Sequence, residues 1–216
     1  MTEQEWKWVR LAGIIGIIFS LLSVVADITL LYNPEGGYFV GDYAFLKGFS
    51  PERMAWGHYL GIFFIPAQLV GLYPVYKGLA PMGRKYGIIL GATGIYIAYP
   101  GVAYHGSVAF IADGINQVGP EHVEGLKLFS EPLAAFFVFG FIVLSILFLI
   151  PVMRGKSAFP KWMALLNPLS IYLLVFLLYL AIPSIGNPLL VAGFNFALAA
   201  FFLLCLVTFR RERLNK

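Results

Sequence analysis

Charged residues are scarce in this sequence, and their scarcity excludes a soluble domain. They make up 12% of the 216 residues, whereas hydrophobic residues make up 60%. A soluble fold of this length has too little interior to bury so much apolar surface. The composition therefore indicates a membrane protein.

Cysteine is almost absent, since Cys205 is the single one in the chain. One thiol excludes an intramolecular disulfide and a CxxC redox pair. The sequence also lacks a P-loop, a GxGxxG turn, an HExxH or HxxxH pair and a GxSxG turn. Nucleotide binding, a zinc pair on one helix and a serine acyl-enzyme therefore have no support in the sequence.

What the sequence does contain is a series of long apolar runs. Each reaches or exceeds the ~20 residues that cross ~30 Å of hydrocarbon as a helix. Backbone groups in lipid must be satisfied internally, so these runs are predicted to be helices and not strands. We expect an all-α fold, a polytopic bundle of six transmembrane helices that forms a single domain over residues 1–216. The predicted helices cover residues 11–32, 56–79, 86–112, 132–153, 162–182 and 188–209.

Basic residues are concentrated in alternate connections between the runs. Of the 15 Lys and Arg, only Lys47, Arg53 and Lys127 fall on one side of the predicted bundle. The positive-inside rule makes the other side cytoplasmic, together with both termini, which predicts a multi-pass protein of the plasma (inner) membrane. Because these charges flank membrane segments, they indicate membrane lipids and no nucleic acid as partners. The cytoplasmic set is Lys7, Arg10, Lys77, Arg84, Lys85, Arg154, Lys156, Lys161, Arg210, Arg211, Arg213 and Lys216.

Small residues recur at helical spacing in the first and third runs and end at an ionisable residue. Such faces let helix backbones approach closely in membranes, so they predict packing seams, which could also serve homo-oligomer contacts. In helix 1 the series is Gly13, Gly16, Ser20, Ser23 and Asp27; in helix 3 it is Gly87, Gly91, Gly94, Ala98, Gly101 and His105.

Four ionisable residues lie at a similar predicted depth toward the outer side. Their depth is measured from the basic residue at the cytoplasmic end of the same predicted helix, at about 1.5 Å per helical residue. Asp27, His58, His105 and Glu131 lie ~25, 28, 30 and 34 Å from it. A charge at membrane depth costs several kcal/mol and usually has a function and a partner. These four residues are the candidate catalytic set, and we expect them to form an outward-facing polar pocket.

Six further side chains are candidates for binding a ligand in that pocket. Ser23 precedes Asp27 by one helical turn, and Gln68 and Asn195 extend the polar face toward the middle of the bundle. Tyrosines at similar depth could supply hydroxyl groups. The set is Ser23, Gln68, Tyr99, Tyr104, Tyr179 and Asn195.

The residue types in this layer leave several chemistries open. His58, His105 and Asp27 are suitable ligands for a divalent metal such as zinc or iron, and His58 with His105 could ligate haem as an axial pair. A buried carboxyl group beside a histidine could instead exchange protons with a lipid-like substrate. The leading expectation is binding of a lipid-like or small amphiphilic ligand, with acid–base or metal-assisted chemistry or with none. A non-enzymatic transporter or sensor subunit is the alternative, and whether the protein is an enzyme stays open.

Overall fold

The computed structural model of the protein describes residues 1–36 and 43–210, and every regular element within these ranges is helical. Three of the basic residues used in the charge argument, Arg211, Arg213 and Lys216, lie outside the described residues. The α-helices, in chain order, are α1 (Glu3–Leu31), α2 (Pro51–Ala67), α3 (Leu72–Gly78), α4 (Arg84–Val118), α5 (Glu124–Met153), α6 (Pro168–Ala181), α7 (Pro183–Val191) and α8 (Gly193–Thr208).

Short 3-10 segments join several of these helices. The most important is Gln68–Gly71, which links α2 to α3, so that Pro51–Gly78 forms one long helical passage. The others are Ala44–Leu46, Ala80–Met82, Pro120–His122 and Lys161–Leu166.

Four helical passages in the described residues are long and apolar enough to cross a membrane. They are α1, the passage Pro51–Gly78, α4 and α5, and they correspond to the first four predicted helices. A fifth passage results if α7 and α8 are counted together, although the two helices meet at an angle of 85°. The predicted count of six is therefore not confirmed.

The last two predicted helices differ from the structure because the chain breaks at specific residues. Where residues 162–182 were predicted as one span, a 3-10 segment comes first and α6 has only 14 residues. α6 ends before Ile182, which adopts φ −140° and ψ 79°, since a residue preceding proline is pushed away from helical angles. Pro183 then begins α7, which turns into α8 at Ala192.

The start of α5 also differs from the prediction. The helix begins at Glu124 and runs through Pro132, where the sequence suggested a start. α4 likewise continues beyond residue 112 to Val118 and ends at Gly119, which has a positive φ of 95°. Glycine adopts that conformation without steric cost, so it is a favourable residue to stop a helix.

α1 is the central helix of the bundle and packs on α2, α8 and the Gln68–Gly71 segment. Its predicted small-residue seam is confirmed, because Gly13, Gly16, Ser20, Ser23 and Asp27 are all buried. At Gly16 the approach is close enough that a Cβ atom would overlap the backbone of Gly71. The seam of α4 is buried too, except at Gly91.

Two apolar clusters occupy the ends of the bundle, and two of the buried polar residues, His105 and Asn195, lie between them. Along α4, Ile97 belongs to one cluster and Val108 to the other, with His105 between. Asn195 likewise lies between Val191 of one cluster and Ala197 of the other. The fold thus holds a polar layer within an otherwise apolar interior.

We expect Gly16→Ala to destabilise the fold and Gly91→Ala to leave it as stable or make it more so. In a helix interior, alanine by itself is favoured over glycine by about 0.5–1 kcal/mol. At Gly16 the new methyl group would meet backbone that cannot rotate aside, whereas no described atom lies within 4 Å of it at Gly91. Thermal unfolding in detergent should give a lower midpoint for Gly16→Ala alone; equal midpoints for the two variants would contradict the close packing.

Candidate functional site

Three buried polar side chains form a hydrogen-bonded chain through the middle of the bundle. Nε2 of Gln68 donates to Oδ1 of Asn195 at 2.8 Å. Nδ2 of Asn195 donates in turn to Oδ2 of Asp27 at 2.7 Å. Asn195 of α8 therefore connects α1 to the 3-10 segment after α2. Predicted as separate candidates, these three residues are brought together by the fold.

His105 of α4 lies against the other oxygen of the same carboxyl group. Its Nε2 is 3.2 Å from Oδ1 of Asp27, close enough for an ion pair. Neither ring nitrogen has hydrogen-bond geometry to any described residue, however. Because hydrogen bonds weaken steeply as their angle closes, this is a close polar contact and not a hydrogen bond. Within the described residues, Oδ1 of Asp27 consequently accepts no hydrogen bond.

The His105 ring is accommodated by a glycine on the neighbouring helix. Gly61 of α2 faces His105, and a Cβ atom at this position would overlap the imidazole. One turn earlier, Gly57 lies against Leu30 of α1 in the same way. The two glycines bring α2 close to both α1 and α4, which holds Asp27 and His105 next to each other.

A cavity of about 230 Å³ adjoins the polar group. Asp27, His105 and Asn195 form its polar end, and most of the remaining wall is apolar or aromatic. Asp27 is only 7% exposed, so its carboxyl group lies almost entirely inside the protein. Another part of the wall includes Val138 of α5, which is 38% exposed on the surface of the bundle.

Three aromatic rings form a continuous part of the cavity wall. The rings of Tyr172 on α6 and Phe194 on α8 stack with their centres 4.2 Å apart. Phe137 of α5 meets Phe194 edge to face at 4.8 Å. All three line the cavity. None of the three was predicted from the sequence, because the position of a Phe or Tyr in an apolar run does not show whether its ring faces the interior or the lipid.

His58, predicted as a member of the pocket, does not line the cavity. It lies close to His105 in the fold, because its ring approaches the position that a Cβ of Gly106 would occupy, at 3.5 Å. Its ring also packs edge-on against Phe110, with centres 5.4 Å apart. α2 and α4 are in direct contact here, so the two imidazoles leave no space between them for a porphyrin.

Glu131, the fourth predicted member, is exposed on α5 and is not among the residues that line the cavity. Because α5 begins at Glu124, Glu131 lies inside the helix and not at its start, and it is on an exposed face. The neighbouring Ser130 is the buried residue at this point, with its Oγ 3.5 Å from the hydroxyl of Tyr43.

The remaining predicted ligand-binding residues divide between the cavity and other places. Tyr104 lines the cavity, and its hydroxyl accepts a hydrogen bond from that of Tyr43 at 3.4 Å. Ser23 is buried but donates to the carbonyl of Phe19 at 2.9 Å. Tyr99 is 74% exposed, and Tyr179 lines a separate depression near Asn187.

No group of three or more His, Cys, Asp or Glu side chains arranged to hold a metal ion occurs in residues 1–36 and 43–210. Of the three metal-ligand candidates, Asp27 and His105 are adjacent, whereas His58 does not line the cavity and lies near Gly106.

Arg53, at the start of α2, does not pair with Asp27 but binds the end of α1. Its Nε donates to the carbonyl of Thr29 at 2.6 Å, and a terminal nitrogen donates to the carbonyl of Tyr32. A cation is favourable at this position, because the last carbonyls of a helix carry partial negative charge. The side chains that contact the Asp27 carboxyl group are therefore Asn195 and His105.

Residues 1–212 match a family of unknown function, DUF6796. The chain belongs to the DUF6796 family. Comparison with curated proteins and comparison with solved structures each gave no match. For this DUF6796 protein, the cavity and its polar end are therefore the features that bear on function.

We expect Asn195→Ala to destabilise the DUF6796 protein by about 1–3 kcal/mol, the cost of leaving buried hydrogen-bonding groups without partners. The change removes the acceptor for Gln68 and the donor to Asp27 together. Gln117→Ala is the matched control, since Gln117 is exposed and bonds only to Asp113 at 2.7 Å. Chemical unfolding in detergent measures both, and an effect at Asn195 no larger than that at Gln117 would contradict the importance of the chain.

Proposed function

We propose that this protein is an integral membrane protein that binds a small amphiphilic ligand in the cavity beside Asp27. The observation that carries the proposal is the combination of one carboxyl group with a largely apolar and aromatic wall. Ligand sites commonly have this composition, with few polar groups that orient the molecule and an apolar remainder that binds its body.

The environment of Asp27 favours a binding role over a purely structural one. Asn195, Gln68 and His105 hold the side chain in place, yet Oδ1 accepts no hydrogen bond from any described residue. Oδ1 therefore keeps an unused acceptor position, and Asp27 lines the cavity. A ligand that donates to Oδ1 would use this position, and Asp27 is thus the proposed anchor.

An exposed part of the cavity wall supports entry of a ligand from the hydrocarbon region of the membrane. Val138 lines the cavity and is exposed on the surface of α5, and α5 packs on α4 more extensively than on α6. An amphiphile dissolved in the bilayer could reach Asp27 along this side without crossing the bundle.

Acid–base chemistry is the second candidate function, favoured by the 3.2 Å approach of His105 to Asp27. A carboxyl group and an imidazole at this distance can pass a proton between them and to a bound molecule. In this version Asp27 and His105 form the catalytic pair, and the same cavity binds the substrate.

The proposed membrane arrangement has six passages in the plasma (inner) membrane, with both termini in the cytoplasm. The short helix α6 and the bent pair α7–α8 supply the last two passages. The asymmetry of the basic residues supports the orientation, and it places the cavity toward the outer side.

Cysteine labelling tests this orientation, because the only native thiol, Cys205, is buried. Glu121 and Lys156 are exposed residues at opposite predicted faces. We expect a membrane-impermeant maleimide to label Glu121→Cys in intact cells, and Lys156→Cys only after permeabilisation. Unmodified protein provides the control for labelling at Cys205, and the reverse pattern would contradict the orientation.

Filling the cavity tests the binding function. Ala134 lines the cavity, whereas the next residue, Ala135, is exposed on the outside of α5. We expect Ala134→Phe to remove any amphiphile that co-purifies with the wild-type protein, because the added ring occupies the ligand's space, and Ala135→Phe to retain it. Mass spectrometry of solvent extracts measures the bound molecule. Equal retention by two equally folded variants would count against the cavity as the binding site.

A further inference from the structure

We infer that the polar group of the ligand is a cation, and that the ligand is a small protonated amine. This inference rests on the proposed function, since it names the chemical class of the molecule that occupies the same cavity. It follows from the charge of the polar end, the aromatic wall and the volume of the cavity.

The charged residues at the polar end of the cavity favour a cationic ligand. Asp27 is the one acidic residue among those that line the cavity, and no Lys or Arg is among them in the part of the chain that the structure describes. Asn195 supplies a neutral donor to Oδ2. A buried carboxylate is stable only when it is paired or well hydrogen-bonded. An ammonium group bound at Oδ1 would supply both the opposite charge and the missing donor.

Among the described residues, no titratable group near Asp27 donates a hydrogen bond to Oδ1. His105 of α4 is within ion-pair distance of Oδ1 at 3.2 Å but has no hydrogen-bond geometry to it, so an acceptor position on this oxygen is left for a ligand. Arg53 of α2 is bound to the carbonyls at the end of α1. His58 does not line the cavity, and the phenols of Tyr104 and Tyr172 carry no positive charge.

The aromatic wall is the second argument, and it discriminates against an anionic ligand. Phe137, Tyr172 and Phe194 line the cavity together with Asp27. The faces of aromatic rings carry partial negative charge, so they attract an ammonium group and its neighbouring methylenes. A carboxylate or phosphate group would lack this attraction and would be repelled by the Asp27 carboxylate.

The volume of the cavity limits the size of the amine. About 230 Å³ is below the range of about 300–1,000 Å³ that is typical of sites for drug-sized molecules. A short alkyl or aryl amine fits this space, whereas a two-chain phospholipid does not. The broad expectation of a lipid-like ligand is thereby narrowed to a small amphiphile.

A matched series of probes tests the charge of the ligand. Hexylamine, hexanol and hexanoate have the same alkyl chain and differ in their polar group; at neutral pH an alkyl amine is protonated, as the lysine side chain is. Binding would be measured by titration calorimetry of full-length protein in lipid nanodiscs, with empty nanodiscs as the control for partitioning into lipid. We expect hexylamine to bind about tenfold or more tightly than hexanol, as a charge-assisted contact allows, and hexanoate to bind most weakly.

Substitution of Asp27 tests whether this residue is responsible for the preference for hexylamine over hexanol. Asp27→Asn keeps the shape of the side chain and removes its charge, so the affinity for hexylamine should fall to that for hexanol. Glu131→Gln is the matched control, since Glu131 is exposed and does not line the cavity; it should leave the preference unchanged. A preference that survives Asp27→Asn would overturn the assignment of the anchor.

A second variant covers the case in which Asp27→Asn does not fold. Phe194→Leu keeps an apolar side chain at the centre of the aromatic wall and removes its ring, so we expect about two- to fivefold weaker binding of hexylamine and little change for hexanol. If all three probes bind equally to the wild-type protein, the cation proposal fails and the amphiphile site stands. If none binds, the proposed function fails as well.

Discussion

The requirement that a buried carboxyl group be satisfied organises the centre of this protein. Asp27 lies in an interior that is otherwise apolar, and three elements besides its own helix supply what surrounds it: Asn195 from α8, Gln68 from the turn after α2, and His105 from α4. Placing these groups requires close helix packing, which Gly16 and Gly61 permit. The seams of small residues are therefore what allows the polar side chains to meet in one buried layer.

Sequence patterns correctly predicted which polar residues are buried where the spacing along one helix was enough to decide it. The spacing along α1 put Asp27 on the packed face, and the spacing along α4 did the same for His105. The position of Glu131 depended on where α5 begins and how it is rotated, and neither follows from the length of an apolar run. The aromatic wall was not predictable for a related reason: with 20 Phe in the chain, composition does not distinguish Phe194 from one that faces lipid.

The fold, like the site, was predictable where it depends on a short stretch of sequence and not where it depends on tertiary packing. Apolar length correctly indicated the four long passages, because a helix of ~20 apolar residues is a local property. It did not reveal the break at Ile182 or the 85° bend between α7 and α8. That bend nevertheless shapes the site: Val191 before it and Phe194 and Asn195 after it all line the cavity. A straight helix would not offer the same three side chains in this arrangement.

The contact between Arg53 and the end of α1 has a consequence for residues far from the cavity. Since Arg53 bonds to the carbonyls of Thr29 and Tyr32, α1 and α2 are joined by a side chain as well as by the intervening polypeptide. Part of that polypeptide is packed as well, because Leu46 is fully buried in the apolar cluster at the end of α1. A substitution in this segment can therefore change the position of Asp27 without touching the cavity, because it acts through the end of the helix that carries the carboxyl group.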